Sequence, residues 1–307
     1  MCMNGESTSE ETPPLKDSLK GWVHSATASI LRTMDKMGIG TVVWERGEWD
    51  VLILVDACRY DLLEDVNEKY LSEAEISSHT SVASYSLEFM TKHFTEEYAE
   101  EMSETLLVAA NPYTDEIETD RFAFIDEVWR DCWDREFNSV RPKPVIDRAL
   151  QAWRWRDSYD ANQMIVWLMQ PHRPFRSQPE WMPSGGVEKF GSPDVDKVLW
   201  GRLRDGELNP QEVWDAYVDN LEYALTEITR FVHNADGSIV VTSDHGNAFG
   251  EWGFWGHPGH IPIPALRRVP WIEFEGKAQW MFKANENSQE PAEANAKERL
   301  RALGYDE

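Results

Sequence analysis

From about Trp49 onward the chain alternates two hydrophobic patterns. Short runs that are apolar at nearly every position, VLILVDA (51 to 57), TLLVAAN (105 to 111), QMIVWLMQ (163 to 170), GSIVVTSD (237 to 244) and VPWIEFEG (269 to 276), are separated by stretches with apolar residues every three or four positions. A run without polar alternation is what a central parallel strand covered on both faces requires. The three-to-four spacing is that of a helix with one buried face, and it extends over Ser86 to Met102, Lys143 to Arg156 and Pro210 to Asn234. In the last of these, Val213, Tyr217, Leu221, Ala224 and Ile228 form the predicted buried stripe. Strands alternating with helices predict an α/β fold, a mostly parallel central sheet sandwiched by helices.

Ahead of this body, residues 1 to 15 read as a polar lead-in. Asp17 to Met37 reads as an amphipathic helix with Leu19, Trp22, Ala26, Ile30 and Met34 on the face expected to pack against the main domain. That extension contains no candidate ligand, so the segment to about Gly40 is expected to be peripheral to chemistry. The expected organisation is a lead-in and helix over 1–40, one catalytic domain over 41–284, and a polar linker with a short C-terminal helix over 285–307. No internal repeat and no 18-residue apolar run is present, so no membrane span is expected.

Charge narrows the partners. With 30 Lys and Arg against 55 Asp and Glu, the net charge is -25, a surface that repels phosphate backbones and anionic lipid headgroups. Nucleic acid is therefore not an expected partner. The acidic excess is spread along the whole chain and suggests a halophilic, haloarchaeal protein. Cys2, Cys58 and Cys132 make no disulfide framework and no CxxC pair, and the N-terminus lacks a basic and apolar leader, so the sequence points to the cytoplasm. Nothing in the pattern specifies an oligomeric state.

In an open parallel sheet, ligands gather beyond the carboxyl ends of the strands. Asp56 ends the first run, Pro171 and His172 follow the third, and Asp244 and His245 follow the fourth; the next loop brings His257 and His260. Carboxylates and imidazoles converging on one sheet edge suit a divalent cation. The tripeptide Asp244-His245-Gly246 is the sharpest signal, because glycine permits the turn that lets adjacent side chains face one ion.

The segment VTSDHGNAFGEWGFWGHPG followed by LRRVPWIEF resembles the C-terminal metal-site segment of the sulfatase and alkaline-phosphatase superfamily. VLILVDACRYD is similar to that superfamily's first strand and metal carboxylate, LMQPHRPF to its substrate-histidine segment, YVDNLEYALTEITRFV to the helix before its metal strand, and RLRALGY to the ending of many sulfatases. The resemblance implies an alkaline-phosphatase-like fold in which Asp56, Asp244 and His245 bind a divalent ion (Mn²⁺, Zn²⁺, Mg²⁺ or Ca²⁺) that activates a nucleophile. It places that nucleophile at a helix N-terminus within SSHTSVASYSLEFM, with Ser84 preferred and Ser86, Ser81 and Thr80 as alternatives. His172 would contact the phosphoryl or sulfuryl oxygens, and His257 would bind that group or protonate the leaving oxygen. Arg59 would reach either the substrate or a neighbouring carboxylate such as Asp61, and Trp181, Trp200, Trp252 and Trp255 would line a sugar-binding cleft or pack in the core.

Two departures matter. Neither Cys58 nor Cys132 lies in a C-x-P-S-R motif, so formylglycine chemistry is not expected, and no D-x-x-x-H element completes a second metal site. A one-metal layout, similar to lipoteichoic-acid synthases and phosphoethanolamine transferases, fits better. The expected activity is metal-dependent hydrolysis of a small-molecule or glycan phosphate or sulfate ester through serine. The alternatives are transfer of the group to a glycan or lipid-linked acceptor, or a non-catalytic superfamily member that serves as a binding module.

Overall fold

The computed structural model describes residues 15–181 and 193–279, with side chains from residue 24 and, after the break, from residue 199. In chain order these are helix α1 (Leu15–Asp35), strands β1 (Val51–Asp56) and β2 (Glu75–Thr80), helices α2 (Ser86–His93) and α3 (Ala99–Ser103), and strands β3 (Thr105–Ala109) and β4 (Phe124–Glu127). Helix α4 (Trp129–Cys132), the two-residue strands β5 (Trp133–Asp134) and β6 (Ser139–Val140), helix α5 (Pro142–Arg154) and strand β7 (Gln163–Pro171) follow. Helices α6 (Pro193–Arg204) and α7 (Pro210–Asn234), strands β8 (Ser238–Ser243), β9 (Ala248–Phe249) and β10 (Trp255–Gly256), helix α8 (Pro264–Arg267) and strand β11 (Arg268–Glu275) complete the described chain.

One seven-stranded sheet has the order β2-β11-β8-β1-β7-β3-β4. The pairs among β8, β1, β7, β3 and β4 are parallel. Strand β11 runs antiparallel to both β8 and β2, a correction to the parallel strand expected for residues 269 to 276. The fold is the expected α/β sandwich. The sequence pattern missed β2 and β4 because they close the two sheet edges, where one side needs no apolar cover; β2 is mostly exposed and β4 half-buried.

Alternation along the strands divides the core. Val51, Ile53 and Val55 pack with α5 and α7 on one face, where all five predicted stripe residues of α7 are buried. Leu52 and Leu54 pack on the other face with Phe89 and Met90 of α2. Because side chains alternate with period two, the residue that follows this second set, Asp56, emerges on the α2 face, and so does Asp244 beyond Val240 and Thr242. The sheet thereby aims both carboxylates at the start of α2.

Two helices differ from expectation. Helix α2 stops at His93 rather than running to Met102, because the His93 carbonyl accepts the Trp44 indole N–H at 3.0 Å and the chain leaves the helix at Phe94. Helix α1 docks through Ala28 and Leu31 onto Phe254, Ile261, Ile263 and Leu266, with Asp35 also buried. The predicted face is rotated outward: Ile30 and Met34 are 62% and 44% exposed. The side chains of Leu19 and Trp22, the lead-in before Leu15 and the tail from residue 280 lie outside the described residues.

Candidate active site

Four neighbouring strands, β8, β1, β7 and β3, end at one place. Asp244 follows β8, Asp56 ends β1, His172 follows β7 and Asn111 follows β3. The His172 N–H donates to the Asp56 carbonyl at 3.0 Å, so the loop after β7 is pinned to the end of β1. Asn220 of α7 holds the same loop by donating to the carbonyls of His172 and Pro174, both at 3.0 Å.

The turn after β1 orients the carboxylates. Ala57 adopts a left-handed conformation with φ 61°, an uncommon state for a residue with a Cβ. It is fixed there by its N–H, which donates to Asp244 Oδ1 at 2.9 Å, and by Tyr217, whose hydroxyl donates to the Ala57 carbonyl. The His245 N–H also donates to Asp244 Oδ1 at 2.9 Å. With Oδ1 committed to the backbone, Asp244 presents Oδ2 to the site. Gly246 is required for the close approach of the next loop, since a Cβ there would clash with the Ala265 carbonyl oxygen.

The three expected metal ligands come together. Atoms of Asp56, Asp244 and His245 lie within 4.8 Å of one another, and all three residues are buried. His245 Nδ1–H donates to the Gly246 carbonyl at 2.9 Å, which assigns the proton to Nδ1 and leaves the Nε2 lone pair facing inward. Nε2 stands 3.4 Å from Asp244 Oδ2 and 3.7 Å from Asp56 Oδ1. Asp56 Oδ1 is buried without a hydrogen-bond partner. A lone pair and two carboxylate oxygens converging in this way fit a dication: ligands held at 2.0 to 2.1 Å around a tetrahedral ion are about 3.3 Å apart. Burial, and then the adjacent Asp244, push the Asp56 carboxyl well above its usual range, a preference that a bound dication reverses.

The hydroxyl at this cluster belongs to Ser86. Its Oγ donates to Asp244 Oδ2 at 2.7 Å and lies 3.3 Å from Asp56 Oδ2 and 3.5 Å from His245 Nε2. Ser84, the hydroxyl preferred on the sequence, has other partners. Its N–H and Oγ–H both meet Glu88 Oε2 at 2.9 Å, and its Oγ accepts the Ile261 N–H at 3.3 Å. The reason is local: Tyr85 is extended, and Glu88, one turn into α2, reaches back to cap the residue before it. Ser81 is also committed, donating to the Asp244 carbonyl and accepting the Ala83 N–H, while Thr80 is an exposed residue of β2.

His172 and His257 stand beside the cluster. The His257 ring is 4.9 Å from the His245 ring and 5.1 Å from the His172 ring. Asn247 accepts from His257 Nδ1 at 2.9 Å, and the Arg173 carbonyl accepts from His172 Nδ1 at 2.7 Å. Burial, then Arg173 for His172 and His245 for His257, lowers both imidazoles well below their ordinary value. Arg173 is itself buried, and burial brings its guanidinium down to about 10.

Arg59 lies at the same end of the sheet as the cluster, but its guanidinium is taken up by other partners. Its guanidinium makes a two-pronged pair with Asp61 at 2.8 and 2.6 Å, binds Glu251 at 2.6 Å and the Asn247 carbonyl at 3.1 Å, and covers the Trp214 ring at 5.2 Å. A fork with these partners ties the turn after β1 to the loop after β8, which is the neighbouring-carboxylate alternative of its sequence reading. His260 likewise turns away, its Nδ1 lying 3.3 Å from Asp35 and 3.2 Å from Glu88. Arg267 and Lys92 already pair with those carboxylates. The tryptophans do not form one stacking wall: Trp181 and Trp200 are buried in the core and Trp252 is 65% exposed. Asn111 and Arg173 went unread in the sequence, although Asn111 follows an apolar run and Arg173 adjoins His172.

Solved structures match the backbone at low identity, among them the following three. The C-terminal periplasmic domain of EcEptC from Escherichia coli, in complex with Zn, is 13% identical over 77% of this chain and 75% of that one, with a TM-score of 0.46. BT4656 in complex with its substrate D-glucosamine-2-N,6-O-disulfate is 12% identical over 74% and 71%, with a TM-score of 0.47. A protein of the alkaline phosphatase superfamily from Vibrio parahaemolyticus is 11% identical over 85% and 70%, with a TM-score of 0.42. The chain is similar to alkaline-phosphatase-superfamily structures. No family model and no curated protein matches the sequence. The cytoplasmic placement read from the cysteines and the N-terminus does not stand beside a match to a periplasmic domain. Charge and thiol count do not encode a compartment. Among the described residues no helix is long and apolar enough to cross a membrane.

Proposed function

We propose that the chain is a metal-dependent enzyme that cleaves phosphate or sulfate esters through Ser86. The observation that carries this reading is the position of Ser86 Oγ, 2.7 Å from Asp244 Oδ2 and beside His245 Nε2, at the N-terminus of α2. Asp56, Asp244 and His245 would hold the cation. The imidazole nitrogen and the small number of oxygens favour Zn²⁺ or Mn²⁺ over Ca²⁺, which takes six to eight oxygen ligands. A bound dication there supplies a lowered pKa for the adjoining hydroxyl and offsets charge on the transferred group.

The chain's own residues do the rest. Ser86 Oγ, having given its proton to solvent, forms the new bond to phosphorus or sulfur as the ester oxygen leaves, and water then releases the group from the serine. His172 and His257, next to His245, keep their Nδ1 protons on the Arg173 carbonyl and on Asn247, so each would meet the oxygens of the transferred group or the leaving alcohol through Nε2 as an imidazolium, a form that the incoming anionic ester favours. Arg173 adds a buried positive charge on the same side. Substrates of this class are small-molecule or glycan esters.

The test is a panel of aryl phosphate, phosphodiester and sulfate esters, run at molar salt with chelated protein and again after adding Zn²⁺ or Mn²⁺. Turnover of at least one ester should appear with the metal and vanish with chelator. Folded, metal-loaded protein that cleaves none of them would instead support a non-catalytic binding role.

A further inference from the structure

We propose that Asn111 is a positioning residue for the cation site, turning the Asp56 carboxylate so that Oδ1 is presented to the metal. The inference rests on reading Asp56, Asp244 and His245 as the metal ligands. Asn111 is fully buried just beyond β3, and strand β7 lies between β3 and β1, so its side chain bridges the end of an intervening strand to reach Asp56. The Nδ2 amide donates to Asp56 Oδ2 at 2.9 Å.

The direction of that amide is not free. Asn111 Oδ1 accepts the Tyr113 N–H at 3.0 Å, capping the short turn Pro112–Glu116, so Nδ2 must face Asp56. The turn is supported from behind, where Thr114 Oγ1 donates to Glu127 at 2.7 Å and accepts the Trp129 indole N–H at 2.9 Å. Asp56 Oδ2 therefore receives a fixed donor from one side and lies 3.3 Å from Ser86 Oγ. Its other oxygen, Oδ1, has no hydrogen-bond partner and lies 3.7 Å from His245 Nε2. A carboxylate with one oxygen tethered and the other bare is set for one-oxygen coordination. Without the tether it is free to rotate and pair both oxygens elsewhere.

The experiment titrates the chelator-stripped full chain with Zn²⁺ alone by calorimetry, comparing wild type with Asn111→Ala, Asn111→Ser and Thr114→Val. Serine still caps the Tyr113 N–H but is too short to reach Asp56, so it separates the tether from the turn, and circular dichroism checks that each variant folds. Asn111→Ser and Asn111→Ala should bind Zn²⁺ about 10- to 100-fold more weakly, while Thr114→Val, which loses its bond to the Asn111 carbonyl (3.3 Å) but keeps the Asn111 amide, loses less affinity than either. An Asn111→Ser variant with the wild-type Kd overturns the inference, and so does a Thr114→Val variant that loses as much affinity as Asn111→Ser. Wild-type protein that binds no Zn²⁺ overturns the metal reading itself, a result distinct from either.

Discussion

Ser86 Oγ lies 2.7 Å from Asp244 Oδ2, whereas Ser84 Oγ, two residues earlier, donates to Glu88 Oε2 at 2.9 Å. One extended residue, Tyr85, separates a hydroxyl that faces the carboxylate cluster from one that fastens the helix carrying it. The two serines thus have opposite expected phenotypes. Ser86→Ala should lower turnover more than about a thousandfold while leaving the fold intact. Ser84→Ala should cost about 1 to 3 kcal/mol of stability, because buried partners lose their hydrogen bonds, yet retain turnover. Denaturant titration beside steady-state kinetics reads both, and equal losses of turnover in the two variants would contradict the assignment.

Metal content gives a second check. Asp244 has one oxygen held by the Ala57 and His245 N–H groups and the other turned to the site, so Asp244→Asn keeps the shape and removes the charge. This variant and His245→Ala should each retain less than about a tenth of the wild-type affinity for Zn²⁺ or Mn²⁺, measured by elemental analysis after dialysis. Wild-type metal stoichiometry in both would remove these residues from the ligand set.

Arg59 is expected to matter for stability alone. Its hydrogen bonds to Asp61, Glu251 and the Asn247 carbonyl involve a charged donor, for which each bond contributes about 1.5 to 3 kcal/mol. The Asp61 and Glu251 side chains are partly exposed, which screens their share. Arg59→Ala should lower the unfolding midpoint and leave metal binding and kcat of the folded fraction unchanged. A drop in kcat at unchanged metal content would place Arg59 back at the substrate.

The acid side of the stability profile should carry a histidine signature. His93 is fully buried, accepts the Val43 N–H at Nε2 (3.1 Å) and gives its Nδ1 proton to the Phe89 carbonyl (2.8 Å). Burial pushes its pKa from 6.5 down to about 3. The unfolded chain therefore binds this proton first. Stability from the neutral ring is complete above pH 6.5 and is lost as the pH falls from 6.5 towards 3. His79, lowered to about 4, adds in the same direction. In His93→Gln, the fall in denaturation midpoint between pH 6.5 and 4 should be shallower than in wild type; an identical slope would contradict the buried neutral state.

Much of this architecture was legible because the central strands are covered on both faces, which leaves no polar alternation in VLILVDA or QMIVWLMQ. The same logic located Asp56, Asp244, His245 and His172, each at the carboxyl end of a strand or within two residues of it. What escaped was set by side-chain contacts that residue type and spacing do not fix. Ser84 and Ser86 are both small hydroxyls near a helix start, and only the reach of Glu88 back to Ser84 and the alternation that aims Asp244 at α2 separate them. Arg59 was ambiguous because guanidinium forks suit carboxylates and esters alike. The face of α1 was misplaced because docking onto Phe254, Ile261 and Leu266, rather than the apolar maximum of the helix, fixes its rotation.

The most direct test of Ser86 as nucleophile is to mix metal-loaded protein with a fast-leaving aryl phosphate or aryl sulfate, quench in acid during turnover, and map the modified peptide by mass spectrometry. The account predicts a phosphoryl or sulfuryl adduct on Ser86, absent from Ser86→Ala and still formed in Ser84→Ala. An adduct on Ser84, or turnover that continues undiminished in Ser86→Ala, would contradict it.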